Sequence, residues 1–128
     1  METILVADDE ATVRTYIGSV LRREGFQLLE AVDGADALDQ VQQRGAPIHL
    51  LLTDIRMPRM DGVALARSVT DLYPETPVIY ISGYPFDLEP EQSRFPTRPC
   101  AFLAKPFTRQ ALLQAVEKCL KSEGAGAA

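Results

Sequence analysis

The sequence predicts an α/β fold built on a parallel sheet. Three observations carry that reading. Five apolar runs of four to six residues recur along the chain, amphipathic stretches at helical spacing separate most of them, and three of the runs are continuously apolar. Strand and helix alternating in this way is the pattern of βαβ units. A strand with no polar alternation is one covered on both faces.

In chain order, Ile4-Leu5-Val6-Ala7 reads as the first strand, Phe26 to Ala31 as the second and Ile48 to Thr53 as the third. Val78-Ile79-Tyr80-Ile81 reads as the fourth and Ala101-Phe102-Leu103-Ala104 as the fifth. Strands one, three and four are the unbroken ones. Val13, Ile17, Val20 and Leu21 share one face of a helix of about 14 residues that Gly25 stops. Ala37, Leu38 and Val41 mark a second helix closed by Gly45. Val63, Leu65, Ala66, Val69 and Leu72 mark a third, opened by Asp61 as its cap and ended before Pro74. The last helix starts near Thr108 and sets Leu112, Val116, Cys119 and Leu120 on one face. Tyr84 to Pro99 holds Pro85, Pro90, Pro96 and Pro99 where a fourth crossover helix belongs. Interior proline costs about 3 kcal/mol, so that helix should be short or irregular, two turns at most over roughly Glu89 to Arg94. Residues 1–121 thus form one domain, and 122–128 read as a flexible small-residue tail.

A chain of 128 residues fits one domain that buries roughly two thirds of its unfolded surface. Its 13 basic and 18 acidic residues give a net charge of −5, and nothing basic clusters beyond Arg22-Arg23. Direct nucleic-acid binding is disfavoured, because phosphate contacts need a cationic footprint. No apolar run reaches the length of a membrane span, and the start lacks the pattern of a secretory signal, so a cytoplasmic location is expected. Cys100 and Cys119 have neither metal spacing nor the look of a disulfide framework and read as structural thiols.

Right-handed crossovers gather the residues just past the carboxyl ends of parallel strands on one edge of the sheet. The chemically unusual residues fall there. Strand one ends in Asp8-Asp9, strand three in Asp54, strand four in Ser82-Gly83 and strand five in Lys105-Pro106. In a sheet of order 2-1-3-4-5, strands one and three are neighbours and three carboxylates converge. Two carboxylates ~5 Å apart repel by about 3 kcal/mol at an effective dielectric of ~20, so such a set binds a cation or partly protonates. An all-oxygen site that keeps water suits Mg²⁺ better than Zn²⁺. With a lysine and a hydroxyl on the same edge, the arrangement points to phosphoryl transfer onto a carboxylate.

Val6-Ala7-Asp8-Asp9-Glu10, Leu52-Thr53-Asp54-Ile55-Arg56-Met57-Pro58-Arg59-Met60-Asp61-Gly62, Ile81-Ser82-Gly83-Tyr84 and Phe102-Leu103-Ala104-Lys105-Pro106-Phe107 together resemble the receiver domain of bacterial two-component response regulators. The resemblance covers about residues 2–121 and is strongest to the receivers of hybrid sensor histidine kinases. It implies a flavodoxin-like (βα)5 fold of sheet order 2-1-3-4-5. It also implies that Asp54 is the phosphoacceptor, supplied by a histidine kinase or phosphotransfer protein. Asp9 would bind Mg²⁺ directly and Asp8 mostly through water, with Asp54 and the backbone carbonyl of Arg56 completing the protein ligands. Lys105 would pair with the phosphoryl group, Ser82 would move to hydrogen-bond it, and Phe102 would turn inward behind Ser82. The Lys105-Pro106 bond would be cis, which an X-Pro bond permits. Phosphorylation would shift a conformational population and signal through a downstream protein partner or a parent kinase. On this reading the protein is no enzyme beyond its own phosphoryl transfer and dephosphorylation.

Some residues have plainer explanations. Asp61 is a helix cap, and His49, the lone histidine, takes a structural or solvent-facing role. Two positions that flank the phosphoryl group in this family are bulky here, Arg56 and Tyr84. Neither offers a carboxylate or amide to orient an attacking water, so both should slow self-dephosphorylation. A haloacid-dehalogenase-like phosphatase needs an Asp where Arg56 stands. A flavodoxin-type carrier needs a hydroxyl-rich loop where Asp8-Asp9-Glu10 would repel phosphate. The remaining alternative is a non-phosphorylated pseudo-receiver that acts as a binding module.

Overall fold

A computed structural model describes residues 2–84, 95 and 99–127, with residues 122–127 described by backbone alone. Strand β1 (Thr3–Ala7) leads through helix α1 (Ala11–Arg23) to β2 (Gln27–Ala31), and α2 (Gly34–Arg44) leads to β3 (Leu50–Asp54). Helix α3 (Gly62–Leu72) precedes β4 (Val78–Ser82), and β5 (Ala101–Ala104) and α4 (Arg109–Ala127) complete the order. All neighbouring strands pair in parallel, in the order β2-β1-β3-β4-β5. The short helix expected over about Glu89 to Arg94 lies outside the described residues.

The unbroken apolar strands are explained by two cores, one on each face of the sheet. Ile4 and Val6 of β1, Leu50 and Leu52 of β3 and Ile79 and Ile81 of β4 pack against Ile17, Val20 and Leu21 of α1 and Leu112 and Val116 of α4. The alternate residues Leu5, Ala7, Leu51, Val78 and Tyr80 pack against Ala37 and Val41 of α2 and Val63, Leu65, Ala66 and Val69 of α3. Period-two alternation therefore sends each strand's side chains into different cores. Every residue of β1, β3 and β4 is buried. By contrast β2, at the sheet edge, buries only Ala31 fully.

Helix ends follow local chemistry. The Asp61 side chain accepts the Ala64 N–H at 2.8 Å and opens α3, as expected. Thr108 does the same for α4 through the Ala111 N–H at 3.0 Å. His49 is structural, its Nδ1 accepting the Thr3 N–H at 2.9 Å. Among the described residues no helix is long and apolar enough to cross a membrane.

One sequence expectation is corrected. Cys100 and Cys119 are not free thiols but form a disulfide, with Cα atoms 5.8 Å apart. A separation of 19 residues carries no sign of proximity. The pairing arises because α4 folds back over the sheet and turns Cys119 into the core, where Cys100, just before β5, packs against it. Helix α4 runs on to Ala127.

Candidate functional site

Each side chain at the carboxyl edge is fixed by the strand it follows. Asp8 leaves β1 with its N–H donating to Ala31 O at 3.2 Å, and its own carbonyl accepts from Arg14 Nη1 at 2.6 Å. The carboxyl group is wholly buried. Asp54 ends β3 in register with Ile81 of β4. Just behind it, a Cβ on Gly62 would fall 2.0 Å from the Asp54 carbonyl oxygen, so only glycine lets α3 start this close to the strand end. Lys105 follows β5, its N–H donating to Ser82 O at 2.8 Å, and the Lys105-Pro106 bond is cis.

These junctions converge on one ammonium. Lys105 Nζ lies 2.8 Å from Asp54 Oδ2, 3.0 Å from Asp8 Oδ2 and 2.8 Å from Glu10 Oε1. Asp8 Oδ2, wholly buried, meets the ammonium as an ion pair and has no other polar partner among the described residues. Burial pushes the Asp8 carboxyl up to about 6, and the Asp54 charge adds to this against the pull of the Glu10 N–H and Lys105. Burial acts to lower the Lys105 pKa, but the contacts with Asp54, Glu10 and Asp8 prevail and hold it above its ordinary value. Carboxylate oxygens of Asp8, Glu10 and Asp54 lie within 4.8 Å of one another. An under-bonded buried oxygen and an all-carboxylate donor set fit a hard divalent cation such as Mg²⁺.

The other residues expected at the site line its surroundings. Asp9, Arg56 and Tyr84 border the same cavity as Glu10, Asp54 and Lys105, a volume of about 630 Å³. The Arg56 N–H donates to Asp54 Oδ1 at 3.3 Å, and its guanidinium stacks over the Tyr84 ring, 3.9 Å from the centroid. Ser82 is buried at the end of β4, and its hydroxyl oxygen accepts the Tyr84 N–H at 2.9 Å. Phe102, partly buried, packs against the Tyr80–Phe95 ring pair, with centroids at 6.1 and 5.5 Å. Sequence reasoning missed Glu10, which it quoted in a motif and gave no role. Its one signal is its place immediately after Asp8-Asp9.

A family model described as the response regulator receiver domain matches residues 4–117. The chain belongs to that family. The receiver is 35% identical over 121 residues to the response regulator receiver protein CpdR of Brucella abortus, covering 94% of this chain and 98% of that one. It is 30% identical over 125 residues to the sensor kinase CckA of the same organism, covering 94% of this chain but 13% of the kinase. The crystal structure of the receiver domain from the hybrid histidine kinase CckA superposes with a TM-score of 0.76 at 32% identity, covering 92% of this chain and 98% of that one. As a member of this family, the protein is a receiver module of two-component signalling.

Proposed function

We propose that this receiver, over residues 1–121, takes a phosphoryl group from the phosphohistidine of a histidine kinase or phosphotransfer protein onto Asp54 and signals through protein contacts. The observation that carries the reading is the convergence of Lys105 Nζ on Asp54 Oδ2 and the buried Asp8 Oδ2. In the reaction an Asp54 carboxylate oxygen attacks phosphorus, a P–O bond forms, the P–N bond breaks and the imidazole nitrogen leaves. Asp8, Asp9, Asp54 and the Arg56 carbonyl would hold Mg²⁺, with Glu10 beside them. Bound there, the ion neutralises charge between the carboxylates and the phosphoryl oxygens. Lys105 moves from a carboxylate set to the incoming oxygens, Ser82 turns its hydroxyl toward them, and Phe102 follows into the space behind Ser82. Arg56 and Tyr84, stacked beside the acceptor, exclude water and prolong the acyl phosphate.

The test is labelling by acetyl phosphate with and without Mg²⁺. Wild type should gain one phosphoryl group only with the ion, and Asp54→Asn should gain none. A wild type that stays unlabelled, or equal labelling of Asp54→Asn, would favour the pseudo-receiver that acts only as a binding module.

A further inference from the structure

The β3–α3 loop holds a residue that its backbone conformation does not favour. Arg59 has φ +67°, the one non-glycine with positive φ among the described residues. An L side chain there is strained by on the order of 1 kcal/mol, and strain of that kind persists where the surroundings over-determine it. Arg59 Nε donates to Asp33 Oδ2 at 2.7 Å, and Asp33, almost wholly buried, caps α2 by accepting the Asp36 N–H at 2.8 Å. One residue on, Met60 O accepts the Gly34 N–H at 3.2 Å, a contact that a Cβ on Gly34 would obstruct at 2.2 Å. The far end of the loop is tied by the Gly62 N–H to Ile55 O at 2.8 Å. Between these ties lies Arg56, with its N–H on Asp54.

We infer that Arg59 is a positioning residue: its bond to Asp33 pins the loop across the start of α2 and so presents the Arg56 backbone to the acceptor site. The inference rests on the proposed function, because the Arg56 carbonyl is there a ligand of Mg²⁺. Side-chain charge at Arg59 matters only through the geometry it imposes three residues away.

Two substitutions remove the pair without removing what surrounds it. Arg59→Gly relieves the positive φ, and Asp33→Asn keeps an N-cap of equal quality. Titration calorimetry with Mg²⁺ alone should give an affinity about fivefold weaker for each, the scale of one ion pair. The double variant should be no weaker than either single one, and Arg59→Lys should recover part of the loss. Thermal midpoints in chelator should stay near wild type for Arg59→Gly, which separates positioning from folding. Wild-type affinity in Arg59→Gly, or a loss that Asp33→Asn does not share, overturns the inference and leaves the phosphoacceptor reading standing. A wild type that binds no Mg²⁺ overturns both.

Discussion

Lys105 Nζ stands 2.8 Å from Asp54 Oδ2 while the same ammonium touches Asp8 and Glu10, so one lysine bridges three acids from two junctions of the sheet. Removing it exposes pairwise repulsion of about 3 kcal/mol at these distances. Lys105→Met should melt at least about 5 °C below wild type in chelator, and Mg²⁺ should raise its midpoint more than it raises that of wild type. Equal melting of the two proteins in chelator would contradict the role assigned to the ammonium.

Arg56 and Tyr84 stack on each other beside Asp54, the proposed acceptor. Arg56→Asn supplies an amide that can orient water, and Tyr84→Ala opens the approach. Each should shorten the phosphoryl half-life, by about tenfold for Arg56→Asn, equivalent to about 1.4 kcal/mol of barrier. Decay of labelled protein, followed by intact mass, reads the effect; an unchanged half-life in both variants contradicts the shielding role.

Asp33 is held below its ordinary value of 3.8, first by the hydrogen bond from Arg59 and then by the Asp36 N–H. A carboxylate whose folded-state value is depressed stabilises the fold above its unfolded value, and that contribution fades as pH falls through the folded one. Wild type should therefore lose stability more steeply than Asp33→Asn below about pH 4. Urea midpoints at pH 3 and pH 6 measure it, and parallel losses would remove Asp33 from the account.

The Cys100–Cys119 bridge closes a loop of 19 residues, for which chain entropy assigns about 3 kcal/mol of stabilisation. Cys100→Ala with Cys119→Ala should lower the urea-unfolding free energy by that order. Treatment of wild type with reductant should do the same, and add 2 Da only after it (two hydrogens). Alkylation of both thiols in the untreated native protein would exclude the bridge.

Gly62 leaves no room for a side chain, since a Cβ would meet the Asp54 carbonyl oxygen at 2.0 Å. Gly62→Ala should cost about 3 kcal/mol, the upper range for overpacking, and displace the acceptor. Its urea midpoint should fall and its rate of labelling by acetyl phosphate should drop together. A variant as stable as wild type would show that α3 can retreat from the strand.

The sheet was legible because burial on two faces leaves an unbroken apolar run, and β1, β3 and β4 each carry one. Asp8, Asp54 and Lys105 were legible because residues after parallel strands share an edge whatever their separation. Glu10 was not, because its part depends on a flexible side chain reaching a lysine 95 residues on. The cysteine bridge was hidden for a similar reason: nothing in a spacing reports that α4 folds back toward β5.

Lys105 and Asp54 are 51 residues apart and are joined only when β5 has docked on β4 and β4 on β3. The Asp54–Lys105 contact is consequently made by closure of the sheet itself. A chain in which β5 has left β4 carries Asp54 without the neighbouring ammonium. The ion pair at the site is thus a property of the closed sheet and of no single βα unit.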